Sequence, residues 1–126
     1  MNPSLKVPYG CLKNESITYL LPNSINKIGR NPLTNTIILK HHSISKEHAL
    51  IEFDSNRQGY ISDLFSSNGT FVNGIKISSN QKFSLNDGDI LITNNDSEIA
   101  SKLLESMLHM LSDLESDYPK NIKIGG

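Results

Sequence analysis

The strongest constraint on the fold is the Asn-Gly dipeptide at 73–74, which stands between two apolar runs of strand length. These runs are 70–72 (Thr-Phe-Val) and 75–77 (Ile-Lys-Ile). Asn-Gly is the preferred two-residue hairpin turn because both positions need a positive φ. The sequence therefore predicts two antiparallel strands here, joined by a two-residue turn.

Similar short segments fill the chain from residue 9 to residue 93. Residues 48–54 alternate between apolar and polar side chains, which indicates a strand with one buried face. Residues 36–39 (Thr-Ile-Ile-Leu) are rich in β-branched side chains and predict a buried strand. Turn-forming residues separate the segments at regular intervals. This pattern predicts an all-β antiparallel sandwich.

The apolar period becomes helical after residue 94. The stripe consists of Ile99, Leu103, Met107, Met110 and Leu114. We therefore predict one amphipathic helix over residues 96–117, ended by Pro119. The predicted organisation is a sandwich at 5–94, a helix at 95–118 and a tail at 119–126. Residues 121–124 form either a last strand or a frayed end. The helix either packs on the sandwich, forms a homodimer through residues 99–114, or is partly disordered alone.

Composition limits the functional classes. A length of 126 residues favours one domain, and a net charge of -1 argues against a general nucleic-acid binder. Residues 1–50 nevertheless carry six basic and two acidic side chains. Cys11 is the only cysteine, so an intrachain disulfide is excluded, which fits a reducing compartment. Apolar runs of signal-peptide or membrane-span length are absent. We therefore expect an intracellular protein, nuclear or cytoplasmic, without membrane contact.

Short polar clusters lie between the predicted strands, at 29–30 (Gly-Arg), 45–48 (Ser-Lys-Glu-His) and 68–74 (Asn-Gly-Thr-Phe-Val-Asn-Gly). Polar loop residues are not needed for a core, so function is sought among them. Together they offer two cations, two hydroxyls and an amide. That set suits holding a phosphate and the backbone beside it.

In this order and at this spacing, residues 27–93 resemble the forkhead-associated (FHA) domain. The resemblance rests on Gly29-Arg30, on Ser45-Lys46-Glu47-His48, on the run 63–74 that begins Asp-Leu and ends Val-Asn-Gly, and on 85–89 (Leu-Asn-Asp-Gly-Asp). It implies a sandwich of about eleven strands whose loops at one end bind a phosphothreonine peptide. Such a module recruits phosphorylated partners in signalling and has neither catalytic residues nor cofactors.

The resemblance also implies roles for single residues. Arg30 and Ser45 would contact the phosphate, and Lys46 would add a cation. Ser67 would reach the phosphate or its surroundings, and Asn68 would hold the peptide backbone. Three further residues would shape the loops: Gly29, His48 and Gly69. Finally, His42 and Ser43 stand where the family reads side chains that follow the phosphothreonine.

Other interpretations of the same residues remain open at this point. Ser45, His48 and Asp63 are the residue types of a hydrolytic triad, although no nucleophile-elbow motif surrounds the serine. His41, His42 and His48 suggest a metal site, but no second ligand pair accompanies them. The alternative from another class is a phospho-independent structural adaptor that acts through self-association of the C-terminal helix. We expect a binding module without enzyme activity, cofactor or metal.

Overall fold

The computed structural model describes residues 8–14 and 17–93, together with the backbone of residues 105–110. Eleven strands lie in these ranges. They are β1 (Gly10–Lys13), β2 (Thr18–Leu21), β3 (Ile25–Gly29), β4 (Ile37–Ile38), β5 (Ala49–Phe53), β6 (Gly59–Asp63), β7 (Phe71–Val72), β8 (Ile75–Lys76), β9 (Phe83–Leu85), β10 (Ile90–Ile92) and β11 (Glu105–Met110). The described residues contain no helix, so none of them forms a helix long and apolar enough to cross a membrane.

The strands form two sheets, which confirms the predicted all-β fold. The six-stranded sheet has the order β2-β1-β11-β10-β7-β8, and the five-stranded sheet has the order β4-β3-β5-β6-β9. The strand pairs are antiparallel except for β3 and β4, which run parallel. The predicted alternation in β5 is confirmed, since Ala49, Ile51 and Phe53 are buried while Leu50 and Glu52 are half-buried. Both sheets contribute side chains to one buried core.

The predicted Asn-Gly hairpin is also confirmed. Asn73 has a φ of 51° and Gly74 a φ of 83°, as this turn requires. Asn73 has a second task, because its side-chain amide donates to Asp89 Oδ1 at 3.0 Å and its Oδ1 accepts from the backbone N–H of Ile90 at 2.9 Å. The turn between β7 and β8 is thereby fixed to the start of β10.

The predicted helix over residues 96–117 is wrong at residues 105–110, which form β11. This strand lies between β1 and β10 and pairs with both, with Leu108 opposite Leu12 and Met107 opposite Ile90. The segment has only six residues, and its apolar side chains at 107, 108 and 110 are compatible with a strand as well as with a helix. Pairing on both sides forms two ladders of backbone hydrogen bonds. The free energy gained from this pairing outweighs the weak helical preference of the local sequence.

The homodimer through residues 99–114, one of the three alternatives for the helix, is also affected, because a helical stripe there is interrupted at β11. The six residues belong to the sandwich itself rather than to a separate helix at 95–118. The remainder of the predicted helix, the tail at 119–126 and the alternative last strand at 121–124 lie outside the described residues.

A proline substitution tests the place of β11. Proline cannot donate to a ladder and is confined to edge strands, so Leu108→Pro in this central strand is expected to lower the free energy of unfolding by about 3 kcal/mol. Urea denaturation measures the loss, and amide hydrogen exchange of the unsubstituted protein should show protection at 105–110 comparable to that of β5. Rapid exchange of these six amides would contradict the pairing.

Three loops meet at one end of the sandwich, because β3, β5 and β6 are antiparallel neighbours whose ends coincide there. They are the β3–β4 loop (30–36), the β4–β5 loop (39–48) and the β6–β7 loop (64–70). The β5–β6, β7–β8 and β9–β10 turns lie at the opposite end. The polar clusters of the sequence therefore share one end of the molecule.

Candidate functional site

Gly29 ends β3 where the chain has no room for a side chain. A Cβ at this position would clash with the backbone oxygen of Lys46 and would lie 2.8 Å from Asn35 Oδ1. The close approach lets the backbone N–H of Arg30 donate to the backbone oxygen of Ser45 at 3.0 Å. Arg30 Nε donates to the backbone oxygen of Ile44 at 3.0 Å, so the arginine side chain lies along the β4–β5 loop.

Asn35 is a loop-shaping residue that the sequence did not reveal. Its Nδ2 donates to the backbone oxygens of Asn31 and Lys46, both at 2.7 Å. The side chain thereby holds the β3–β4 loop closed and attaches it to the β4–β5 loop. Residues 34–36 (Thr-Asn-Thr) are an ordinary polar loop sequence, so no pattern distinguished this asparagine from its neighbours.

Ser45 and Ser67 join the β4–β5 and β6–β7 loops. The backbone N–H of Ser67 donates to Ser45 Oγ at 3.0 Å. Because the Ser45 hydroxyl accepts this bond, its own proton is available to donate to a ligand. Lys46 is exposed next to Ser45, and its backbone oxygen accepts from the backbone N–H of Asn31 at 3.2 Å.

Asn68 makes a second connection between the same two loops. Its Nδ2 donates to the backbone oxygen of Ser43 at 2.7 Å, and the residue is exposed. Ser43 itself is held by His41, whose Nδ1 lies 3.1 Å from the Ser43 backbone nitrogen and 2.7 Å from its Oγ. His42 stacks on His41 with ring centroids 4.4 Å apart and is exposed. His42 and Ser43 thus border the point where the Asn68 side chain is bound to the β4–β5 loop.

His48 is fully buried beneath these loops. Its Nδ1 accepts from the backbone N–H of Ser45 at 3.1 Å, so its Nε2 carries the proton and donates to the backbone oxygen of Gly69 at 2.9 Å. Burial lowers the pKa of this imidazole, and the bond to Gly69 and the nearby Asp63 carboxylate offset only part of that effect. A neutral imidazole therefore spans the two loops from below.

The lowered pKa of His48 predicts a pH dependence of stability. The imidazole protonates near pH 6.5 in the unfolded chain but stays neutral to a lower pH when folded. The unfolded state therefore binds the extra proton first, and stability falls as the pH falls from about 6.5 through the folded-state pKa. Urea denaturation between pH 7.5 and 5 should show a slope of up to about 1.4 kcal/mol per pH unit from this group. The His48→Gln variant should be less stable at neutral pH and lack that part of the slope; equal slopes would contradict the assignment.

Asp63 organises the β6–β7 loop, a role that was not predicted. Its carboxylate accepts hydrogen bonds from the Ser66 and Thr70 hydroxyls on Oδ1 and from the Ser79 hydroxyl and Ser66 N–H on Oδ2. Burial alone would raise the pKa of Asp63, but these hydrogen bonds together outweigh it and hold the pKa below its ordinary value. The result is a buried, ionised carboxylate that holds Ser66 and Thr70 and so positions Ser67 and Asn68, which lie between them.

Gly69 follows Asn68 with a φ of 90°, a conformation that favours glycine. A Cβ there would also lie 2.9 Å from Cε of Lys76, so the lysine stem covers the loop at this point. The backbone N–H of Gly69 donates to Ser66 Oγ at 3.0 Å. The structure thus gathers Gly29, Arg30, Ser45, Lys46, His48, Ser67, Asn68 and Gly69 at one end of the sandwich, with His42 and Ser43 beside them.

Neither of the alternative sites has the necessary geometry. The Nδ1 atom of His48 faces a backbone amide and its Nε2 a backbone carbonyl, so neither nitrogen can take a proton from the Ser45 hydroxyl. A group of three or more possible metal ligands does not occur within residues 8–14 and 17–93.

Among the described residues, the ammonium groups of Lys27 and Lys82 have acidic partners, unlike the cations of Arg30 and Lys46. Lys27 pairs with Glu47 at 3.3 Å, and Lys82 pairs with Glu52 at 3.5 Å. In the part of the chain that the structure describes, by contrast, no carboxylate lies within ion-pair distance of Arg30 or Lys46. Basic side chains without acidic partners, next to a free hydroxyl proton and an exposed amide, are suited to an anionic ligand.

Comparison with known proteins agrees with this arrangement. The sequence model of the FHA domain matches residues 26–93, and the chain therefore belongs to the FHA domain family. It is 34% identical over 93 residues to an FHA domain-containing protein of Arabidopsis thaliana, a match that covers 72% of this chain and 24% of the relative. The chain thus spans about a quarter of that relative's length.

Solved structures show the same fold. Mycobacterium tuberculosis EmbR, in complex with a low-affinity phosphopeptide, is 28% identical with a TM-score of 0.68, and the match covers 88% of this chain and 27% of EmbR. A second structure comes from a structural and functional analysis of phosphothreonine-dependent FHA domain interactions. It is 27% identical with a TM-score of 0.64, and the match covers 82% of this chain and 98% of that chain.

Proposed function

We propose that this protein is a phosphothreonine-peptide recognition module that recruits phosphorylated partners in signalling. The observation that carries the proposal is the meeting of three loops at the stretch 43–45 of the β4–β5 loop. Arg30 of the β3–β4 loop and both Ser67 and Asn68 of the β6–β7 loop are hydrogen-bonded to this stretch, which contains Ser45. A phosphomonoester near pH 7 has a charge of about -1.5 to -2 and three acceptor oxygens, and this end of the sandwich offers matching donors. The phosphopeptide in the EmbR complex and the phosphothreonine-dependent FHA domain interactions of the second structure support the same conclusion.

Each side chain has a proposed task that follows from its chemistry. The Arg30 guanidinium, oriented by its bond to Ile44, donates to two phosphate oxygens. The Ser45 hydroxyl donates its remaining proton to the phosphate, and the Lys46 ammonium adds a second positive charge. The Ser67 hydroxyl lies next to this phosphate position, because its own N–H is bound to Ser45 Oγ.

The Asn68 amide would hold the main chain of the peptide. Its Nδ2 is bound to Ser43, and this contact orients the side chain at the surface of the two loops. A peptide that runs across Asn68 then passes beside His42 and Ser43, which would contact residues that follow the phosphothreonine. The chain spans about a quarter of the length of the Arabidopsis relative, so we propose the partner only as a phosphothreonine-containing protein.

The alternative of a phospho-independent adaptor depended on a continuous C-terminal helix. With residues 105–110 in β11, that interface lacks its central segment, and the loop end is the better candidate for the working surface.

Calorimetric titration tests the proposal. Three degenerate peptide pools are used that differ only at the central residue, which is phosphothreonine, threonine or phosphoserine. We expect micromolar binding to the phosphothreonine pool, and binding at least tenfold weaker to the other two. Equal affinity for the threonine pool, or no binding to any pool, would refute the proposed function.

A further inference from the structure

Phe65 in the β6–β7 loop has an unusual combination of backbone conformation and exposure. Its φ is 56°, in the left-handed region, and 74% of its surface is exposed. A bulky residue rarely adopts this conformation, because Cβ approaches the following carbonyl oxygen. An exposed aromatic ring also leaves a large apolar area in water. Both features lower the stability of the fold, so stability does not explain a phenylalanine at this position.

The turn itself does not need this side chain. Backbone N–H groups fix the turn on either side of Phe65. Leu64 N–H donates to the His48 backbone oxygen at 2.9 Å, and Ser66 N–H donates to Asp63 Oδ2 at 3.2 Å. Glycine would satisfy the same backbone with less strain. Among the residues for which contacts are described, the Phe65 ring stacks with no other ring and with no cation.

The other positive-φ residues of this part of the chain have a simpler explanation. Asn73 and Asn80 are asparagines, which tolerate the left-handed conformation, and Arg57 is held by the Tyr9 ring and the Pro8 oxygen. Phe65 is the only aromatic residue among them.

The position of Phe65 relates it to the proposed phosphate site. It lies two residues before Ser67, whose N–H contacts Ser45 Oγ. Two residues span at most about 7 Å between their Cα atoms, so the backbone of Phe65 lies within about two residue lengths of Ser67. An extended peptide held there by its phosphate brings its neighbouring side chains within reach of the ring.

We propose that the Phe65 ring is a specificity-determining contact that selects phosphothreonine peptides with a large apolar side chain flanking the phosphorylated residue. This inference rests on the proposed function and names the class of peptide that the site takes. Burial of the ring against an aliphatic or aromatic side chain provides the affinity, and a short polar or acidic side chain gains no comparable apolar burial from the ring.

Two variants of Phe65 separate this role from a structural one. The Phe65→Gly variant removes the ring and relieves the backbone, so its unfolding midpoint should hold or rise by up to about 4 °C. The Phe65→Trp variant keeps an aromatic ring and introduces the only tryptophan of the chain. Its emission should shift to shorter wavelength when the phosphopeptide covers the indole.

Two matched controls exist elsewhere in the molecule. Ile25→Ala shortens another exposed apolar side chain, at the end of β3 remote from Arg30. Asn80→Gly relieves another positive φ without removing a ring. Both should bind like the unsubstituted protein.

The experiment compares two phosphothreonine peptide pools, one with Leu, Ile, Met and Phe at the flanking positions and one with Asp, Ser and Gln. We expect the unsubstituted protein and Phe65→Trp to prefer the apolar pool at least fivefold. Phe65→Gly should lose the preference and keep its discrimination against unphosphorylated threonine. An equal preference for the apolar pool in Phe65→Gly and the unsubstituted protein would overturn this inference and leave the proposed function standing. The same holds if Phe65→Gly has a lowered unfolding midpoint without a change in preference. Failure of the unsubstituted protein to bind either pool would overturn the proposed function as well.

Discussion

Replacing Arg30 with alanine is expected to weaken phosphothreonine-peptide binding by about 100-fold or more while leaving the domain folded. A hydrogen bond to a charged group contributes about 1.5–3 kcal/mol, and each 1.4 kcal/mol corresponds to a tenfold change in Kd. The guanidinium fork can donate twice to one phosphate, so its loss removes two such contacts. Calorimetric titration of the variant with a single phosphothreonine peptide measures the effect.

The Arg30→Lys variant distinguishes charge from geometry. Lysine keeps the positive charge but loses the fork and the Nε bond to the Ile44 oxygen. We therefore expect an intermediate loss of about tenfold. A lysine variant as weak as the alanine variant would show that the geometry of the fork and its orientation, rather than charge, carry the contact.

Arg57, the only other arginine, provides a matched control at the opposite end of the sandwich. Its guanidinium lies 4.2 Å from the centroid of the Tyr9 ring, and its Nη2 donates to the Pro8 oxygen at 2.6 Å. Arg57→Ala should lower the free energy of unfolding by about 1–2 kcal/mol and leave peptide affinity unchanged. If Arg30→Ala bound within threefold of the unsubstituted protein, the phosphate would not be held at Arg30.

The features that the sequence predicted correctly depend on neighbouring residues. The Asn73–Gly74 turn follows from the φ values that only a few residue types adopt, and the buried face of β5 follows from a two-residue alternation. The order and spacing of the loop motifs predicted the all-β family fold. The structure also brings together the residues named for the binding site, although their roles stay a prediction until binding is measured.

The features that the sequence did not predict depend on distant residues. The position of β11 is decided by β1, at the other end of the chain, and by the open ladder of β10. A helical period in the last third of the chain contains no information about either partner. Asn35 and Asp63 raise a similar difficulty, because a polar residue in or beside a loop does not reveal that backbone oxygens or hydroxyls will surround it.

Removal of the Asp63 carboxylate is expected to be the most destabilising change at this end of the molecule. The side chain is only 2% exposed and accepts four hydrogen bonds. Asp63→Ala leaves three hydroxyls and one backbone N–H without their acceptor, and an unsatisfied buried group costs about 1–3 kcal/mol. Because Ser66 and Ser79 are close enough to the surface to recover water, we expect a net loss of about 3 kcal/mol, measured by urea denaturation at pH 7.

The same substitution should also weaken phosphopeptide binding, although Asp63 is buried and does not reach the ligand. Its carboxylate positions Ser66, and through Ser66 the Gly69 N–H, so the loop that carries Ser67 and Asn68 loses its support. A tenfold weaker affinity in a variant that is still fully folded at the assay temperature would show this coupling. Unchanged affinity would show that the contacts from Ser45 and Ser43 position the loop without Asp63.

The pH dependence of stability provides an independent test of the Asp63 network. The folded-state pKa lies below the unfolded value of about 3.9, so the carboxylate stabilises the fold fully above that pH. The contribution is lost as the pH falls through the folded-state pKa, because the unfolded chain takes up the proton first. In Asp63→Asn, which retains one acceptor oxygen and cannot ionise, denaturation between pH 5 and pH 2.5 should show a shallower decline than in the unsubstituted protein. An identical decline would mean that the hydrogen bonds to Asp63 do not favour its ionised form over its protonated form.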